Sequence, residues 1–154
     1  MARFDYYGLE QDIKNLIQND AGVLAHWGER DPRVLVERDL IFGMDELPCI
    51  IIYLKRRDAP SGMQSLSAGQ RTRYRITLSI WVADFHFDDV AQACRNRDDL
   101  IGAVEVALMR DRDLGGKVGA SWTEGGEFLN AETDKGFVSA GEIILIADGL
   151  ATTD

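Results

Sequence analysis

One long stretch of strict alternation constrains the fold of this chain more than any other feature. From Tyr74 to Val82 every even-numbered position is apolar or aromatic, while the odd-numbered positions from Arg71 to Trp81 carry Arg, Thr, Ser and Trp. A period of two is that of a β-strand, in which successive side chains point to opposite faces. The stretch therefore predicts a long strand that buries one face, which requires a sheet and a layer of structure to cover it.

The same strand belongs to a basic segment, residues 55–75. This segment holds six cations and one anion, a net charge of +5, whereas the whole chain carries −9 and the remainder therefore −14. Alternate arginines on one strand face form a row about 13 Å long, in which like charges repel one another. The cations are Lys55, Arg56, Arg57, Arg71, Arg73 and Arg75.

Two explanations of the basic segment remain open. Nearby acids of the same chain could balance its cations on a solvated hairpin, or the cations could meet an acidic surface on another molecule. We favour the second, because the last hairpin offers an acidic counter-surface made of Glu124, Glu127, Glu132 and Asp134. One patch that fits a different patch on the next copy makes a heterologous contact, and such contacts close into rings.

The rest of the chain predicts an α+β fold. Helical spacing of apolar residues, capping residues and turn residues divide it into alternating elements. We expect a mainly antiparallel five-stranded sheet with two helices packed on one face. The predicted helices span about 8–19 and 89–109, and the predicted strands span 33–40, 49–54, 71–82, 118–129 (bulged at Gly125 and Gly126) and 137–147. At 154 residues we expect a single domain, 1–154, with a frayed tail at 148–154.

No catalytic, metal or cofactor site is expected. Asp84, His86 and Asp88 alternate along a strand end and could hold a divalent ion, but helix capping explains the aspartates better. The glycine-rich stretch 115–119 lacks the spacing of a phosphate loop, and Ser139 lacks that of a nucleophile elbow. We therefore do not expect an enzyme.

Charge and hydropathy exclude two further classes of partner. A pI near 4.7 argues against broad nucleic-acid binding, since neutralising phosphates needs a basic face. An acidic lining would instead let DNA pass without binding. No apolar run approaches the roughly 20 residues that span a bilayer, so we expect no membrane partner.

The order of these elements resembles that of the tail terminator (tail completion) proteins of long-tailed phages and phage-like gene transfer agents. The resemblance lies in the amphipathic helix around 9–17, the strand 48–54, the strand 73–82, the helix after Asp88 and the closing strand 137–147. It implies a tail-terminator-like fold and a structural virion protein. It also implies a homo-oligomer, a hexameric ring between the tail tube and the head connector.

The resemblance further implies a function and partners. The ring would cap the tail tube, stop its polymerisation and join the tail to the head-closure or connector protein, while DNA passes through the lumen. The basic segment would contact the neighbouring subunit and the tube. Such a protein would be assembled in the host cytoplasm and reside in the tail or neck of the virion. A head-closure or neck protein of the same particle, or a small-ligand-binding α+β domain, remains an alternative.

Overall fold

The computed structural model describes residues 4–27, 33–36, 47–58, 71–114, 116 and 118–152, with the backbone alone for residues 27, 71–73 and 150–152. These residues form three helices and six strands. In chain order they are α1 (Tyr6–Gln18), α2 (Ala21–Trp27), β1 (Val34–Val36), β2 (Cys49–Asp58), β3 (Arg71–His86), α3 (Val90–Arg110), β4 (Val118–Glu124), β5 (Phe128–Thr133) and β6 (Gly136–Thr152).

All six described strands belong to one mixed sheet. Its order is β1-β2-β3-β6-β4, and β5 pairs with β6 beyond the end of β4. Only β1 runs parallel to its neighbour, β2, while the other pairs are antiparallel. The α+β class and the mainly antiparallel pairing are confirmed, but the expected five strands and two helices are too few. The extra strand arises because the predicted strand 118–129 is interrupted, and the extra helix is α2.

The alternation in β3 decides how the sheet is buried. Ile76, Leu78, Ile80 and Val82 are fully buried on one face, where they pack with the apolar side chains of all three helices. The opposite face carries a smaller buried cluster around Trp81. The predicted division of β3 into a core face and a second face is therefore confirmed for these residues.

Carboxylate caps begin the two longer helices. The Asp5 side chain accepts a hydrogen bond from the Gly8 amide at 2.9 Å, and Asp89 accepts from the Ala91 and Gln92 amides at 3.0 and 3.3 Å. Each cap satisfies backbone donors that the first turn of a helix leaves without an internal partner. Asp88 and Asp89 were both candidates for the cap of α3, and the structure assigns it to Asp89.

The buried face of α3 agrees only in part with the one that its apolar spacing predicts. Of the predicted stripe Val90, Cys94, Arg97, Ile101, Val104 and Leu108, the residues Arg97, Val104 and Leu108 are buried, whereas Val90 is exposed and Cys94 and Ile101 are only partly buried. Ala93 and Ala107 are fully buried instead. Small side chains at these positions let the helix lie close to the sheet.

Three strands extend beyond their predicted ends. β2 continues to Asp58, β3 to His86 and β6 to Thr152. Residues 148–152, expected to fray, pair instead with residues 75–71 of β3. Their small and polar side chains suggested a frayed tail because the sequence does not show that β3 pairs with them.

The break between β4 and β5 depends on Gly126. A Cβ atom there would lie 2.2 Å from the carbonyl oxygen of Glu142, which is backbone and cannot move aside. Next to it, the Glu142 amide donates to the Glu127 carbonyl at 2.8 Å. The predicted bulge at Gly125 and Gly126 is therefore the point where the chain crosses close to β6 and begins a second strand.

We predict that Gly126→Ala lowers the free energy of unfolding by about 1–3 kcal/mol, since the backbone must shift to admit the methyl group. Gly125→Ala is the matched control, because a Cβ there meets nothing within 4 Å. It should change stability by less than about 0.5 kcal/mol. Urea unfolding of both variants measures the difference, and equal effects would contradict the close approach at Gly126.

Candidate interaction surface

The two halves of the basic segment come together in the structure. β2 ends and β3 begins as antiparallel neighbours, with Arg57 opposite Ile76 and Asp58 opposite Arg75. Arg71 and Arg73 lie on β3 opposite Thr152 and Leu150, and their side chains are outside the described part. We call the described side chains Lys55, Arg56, Arg57 and Arg75 the basic end of the sheet.

Three cations of the basic end pair with acids of their own chain. Lys55 Nζ lies 3.5 Å from Glu142 Oε2, Arg75 Nε lies 3.3 Å from Asp148 Oδ1, and Arg56 Nε lies 2.9 Å from Asp58 Oδ1. None of these three acids belongs to the predicted counter-surface. Part of the positive charge is thus balanced within the chain, as the first of the two explanations above requires.

Arg57 differs from the other cations of the basic end. Its guanidinium carbon lies 5.8 Å from the centre of the Tyr6 ring, and its side chain is exposed. The hydrogen bond and the charge interaction with the Tyr6 side chain raise the pKa of Arg57 above its ordinary value. Within the described part of the chain, no carboxylate forms an ion pair with it.

A hollow of about 400 Å³ adjoins Arg57. Tyr6 and Leu54, which pack against the main core, form its apolar floor. The hollow thus combines an apolar floor with a cationic rim. It could bind an apolar side chain that is flanked by carboxylates. Its lining is completed by Lys55, Arg56 and Arg57.

The predicted acidic residues lie at the other end of the sheet. Glu124 ends β4, Glu127 lies in the connection, Glu132 is in β5 and Asp134 is in the turn that follows. All four side chains are exposed. We call this set the acidic edge. Since β3 and β6 stand between it and β2, the acidic edge is placed away from the basic end of its own chain.

Sequence reasoning missed the polar cluster beneath β5. Arg97 is only 8% exposed, and its guanidinium donates to Ser139 Oγ at 2.8 Å and pairs with Asp98 at 2.8 Å. Ser139 in turn donates to Asn130 Oδ1 at 2.6 Å. The guanidinium also lies 4.3 Å from the centre of the Phe128 ring. The available signal was a single arginine on an otherwise apolar helical stripe.

The candidate metal residues serve other contacts. Asp84 is fully buried, and its carboxylate lies 3.0 Å from His26 Nε2 and accepts from the Phe85 amide. The His86 ring accepts from the Asp89 amide, and its Nδ1 lies 3.1 Å from Oδ1 of the exposed Asp88 side chain. Among the described residues, no three His, Cys, Asp or Glu side chains group to hold a metal ion. No described helix is long and apolar enough to cross a membrane.

Comparison with known proteins gives a likeness in fold alone. No family model and no curated protein matches the sequence. Among solved structures, a chain from the "virion of native gene transfer agent (GTA) particle" is similar with a TM-score of 0.52 at 13% identity. The match covers 96% of this chain and 99% of that one. The protein is thus an α+β protein with the fold of a gene transfer agent virion chain, matched from end to end.

We predict that Arg97→Ala lowers the free energy of unfolding by about 2–4 kcal/mol, because it removes a buried hydrogen bond and the support of the Phe128 ring. Arg95→Ala is the matched control: Arg95 lies on the same helix and is exposed, and its hydrogen bonds to described residues go to the side chain of Gln92. It should cost less than about 0.5 kcal/mol in urea unfolding. If Arg97→Ala lowered the free energy of unfolding no more than the control does, the polar cluster would contribute nothing to stability.

Proposed function

We propose that this chain is a structural protein of a phage-like virion. The observation that carries the proposal is the likeness to a virion chain over nearly the whole length of both chains. Within the described residues, the polar clusters are held by hydrogen bonds to the fold itself, which supports a protein that acts through its surface.

Within that class, we assign the chain the role of tail terminator. The protein would form a ring, hexameric as in the family it resembles, that binds the growing end of the tail tube. The ring would present to the solvent a surface to which the tube subunit cannot add, and to which the head-closure or connector protein binds. It would need no catalytic group or cofactor, and its acidic charge would let DNA pass through the lumen.

The positions of the two charged surfaces support a head-to-tail ring. The basic end and the acidic edge lie at opposite ends of one sheet, so one copy can present each to a different neighbour. A contact between the basic end of one copy and the acidic edge of the next places opposite charges together, and repeated head to tail it closes into a ring when the rotation between neighbours allows. In this arrangement the residues 55–75 contact the neighbouring subunit and the tube end.

The terminator role is tested by adding the protein to purified, polymerising tail-tube subunits of the same particle. We expect it to bind tube ends as a ring and to stop elongation at substoichiometric amounts, which electron microscopy of tube lengths and bound ends measures. Heat-unfolded protein is the control. A chain that stays monomeric with the tube protein and leaves tube lengths unchanged is not a terminator.

The charge contact is tested by Arg57→Glu. Reversal at Arg75 would also place a carboxylate beside Asp148, whereas Arg57 is exposed and no described carboxylate pairs with it, so we expect its reversal to leave the fold intact. We expect self-association to weaken about tenfold at low salt, with the difference shrinking as salt rises. The matched control is Arg95→Glu, with the same change of charge on exposed helix surface. Analytical ultracentrifugation measures both, and equal affinities would refute the contact.

A further inference from the structure

The most exposed aromatic residue of the sheet edge is Phe128. It is 62% exposed and begins β5, an edge strand whose residues 128–132 are all exposed. Among the described strands, β5 pairs with β6 alone. Natural edge strands are usually protected by charge, bulges or a covering element, and an edge strand with exposed apolar side chains is open to contact with another chain.

Phe128 is held in place before any partner arrives. One face of its ring lies against the Arg97 guanidinium, which Ser139 and Asp98 anchor. The ring also lies over Gly141, where a Cβ would be 3.2 Å from two of its carbons. A side chain fixed in this way loses little conformational entropy when it is buried, which is the property of residues that dominate binding energy.

The hollow beside Arg57 complements this residue in chemistry. Its floor, Tyr6 and Leu54, offers apolar and aromatic surface, and its rim carries three cations. Phe128 brings the acids of its own edge, with Glu127 adjacent in sequence and Glu132 farther along β5. An apolar centre ringed by opposite charges on the two partners is the arrangement found at protein interfaces.

The two surfaces also lie on the same side of the sheet. Phe128 contacts Arg97 of α3, and the hollow includes Tyr6 of α1, while both helices cover the face of the main core. A head-to-tail contact that keeps neighbouring sheets edge to edge leaves all helix layers on one side. Residues that meet across it must therefore share a face, as these do.

We infer that the exposed face of Phe128 of one copy docks into the Tyr6–Leu54 hollow of a second copy, with the acidic edge against Arg57. The inference rests on the proposed ring, to which it adds the apolar anchor and its receptor. Phe128→Ala should then weaken self-association about 30-fold, as expected for an interface hot spot.

Leu129→Ala is the matched control for that loss. Leu129 is 57% exposed, but it follows Phe128 in the strand and so points to the opposite face. We expect it to weaken self-association less than about threefold in analytical ultracentrifugation, with unchanged circular dichroism for both variants. An equal loss from the two variants would overturn the inference.

Cross-linking tests the pairing itself. In a Cys94→Ala background, tagged Phe128→Cys subunits are mixed with Leu54→Cys subunits at high concentration and oxidised, and Met109→Cys serves as an exposed control on α3. We expect disulfides between the two kinds of subunit and not with the control. Only Phe128→Cys homodimers, or no excess over the control, would overturn the inference.

The two proposals fail separately. Rings that cap the tube without this cross-link refute the Phe128 contact and leave the terminator role standing. A cross-linked assembly that leaves tube growth unchanged refutes the terminator role and keeps the contact.

Discussion

The pairing of β3 with β6 is the interaction on which the rest of the structure depends. It runs without a register shift from Arg71 opposite Thr152 to His86 opposite Phe137. These two strands form the middle of the sheet, with β2 and β1 on one side and β4 and β5 on the other. A long ladder of this kind fixes which face of every attached strand is buried, because a slip of one residue would turn all apolar side chains outward.

The central pair, β3 and β6, also separates the positive from the negative surface of the sheet. The basic end lies on one side of it and the acidic edge on the other. Two cations of the basic end form ion pairs with acids of β6. Arg75 meets Asp148, and Lys55 reaches across to Glu142, both on β6. These pairs are partly exposed and each contributes little to stability. Their effect is to reduce the repulsion within the basic end, so that a strand carrying so many cations can pair at all.

The sequence predicted what depends on local period and local capping, and missed what depends on distant partners. Alternation identified the buried face of β3, and Asp89 identified the start of α3, since both signals lie within a few residues. A strand was predicted over 33–40, where β1 lies, but neither its parallel pairing with β2 nor the continuation of β6 past Ala147 was predictable in this way. Asp148 and Gly149 have the composition of a turn, and only their pairing with Arg75 and Tyr74 makes them strand.

The surfaces show the same division between local and distant information. The sequence grouped four acids on one hairpin, and the structure places them on one edge, but their position relative to the basic end followed only from the strand order. Arg97 shows why this matters. In the sequence, Arg97 is a charged residue on an otherwise apolar helical stripe, and nothing local explains it. In the fold it lies beneath Phe128 and contacts the ring of that residue at the edge of the sheet. A buried cation is costly unless it is well bonded, and here the bonded cation also supports an exposed aromatic ring.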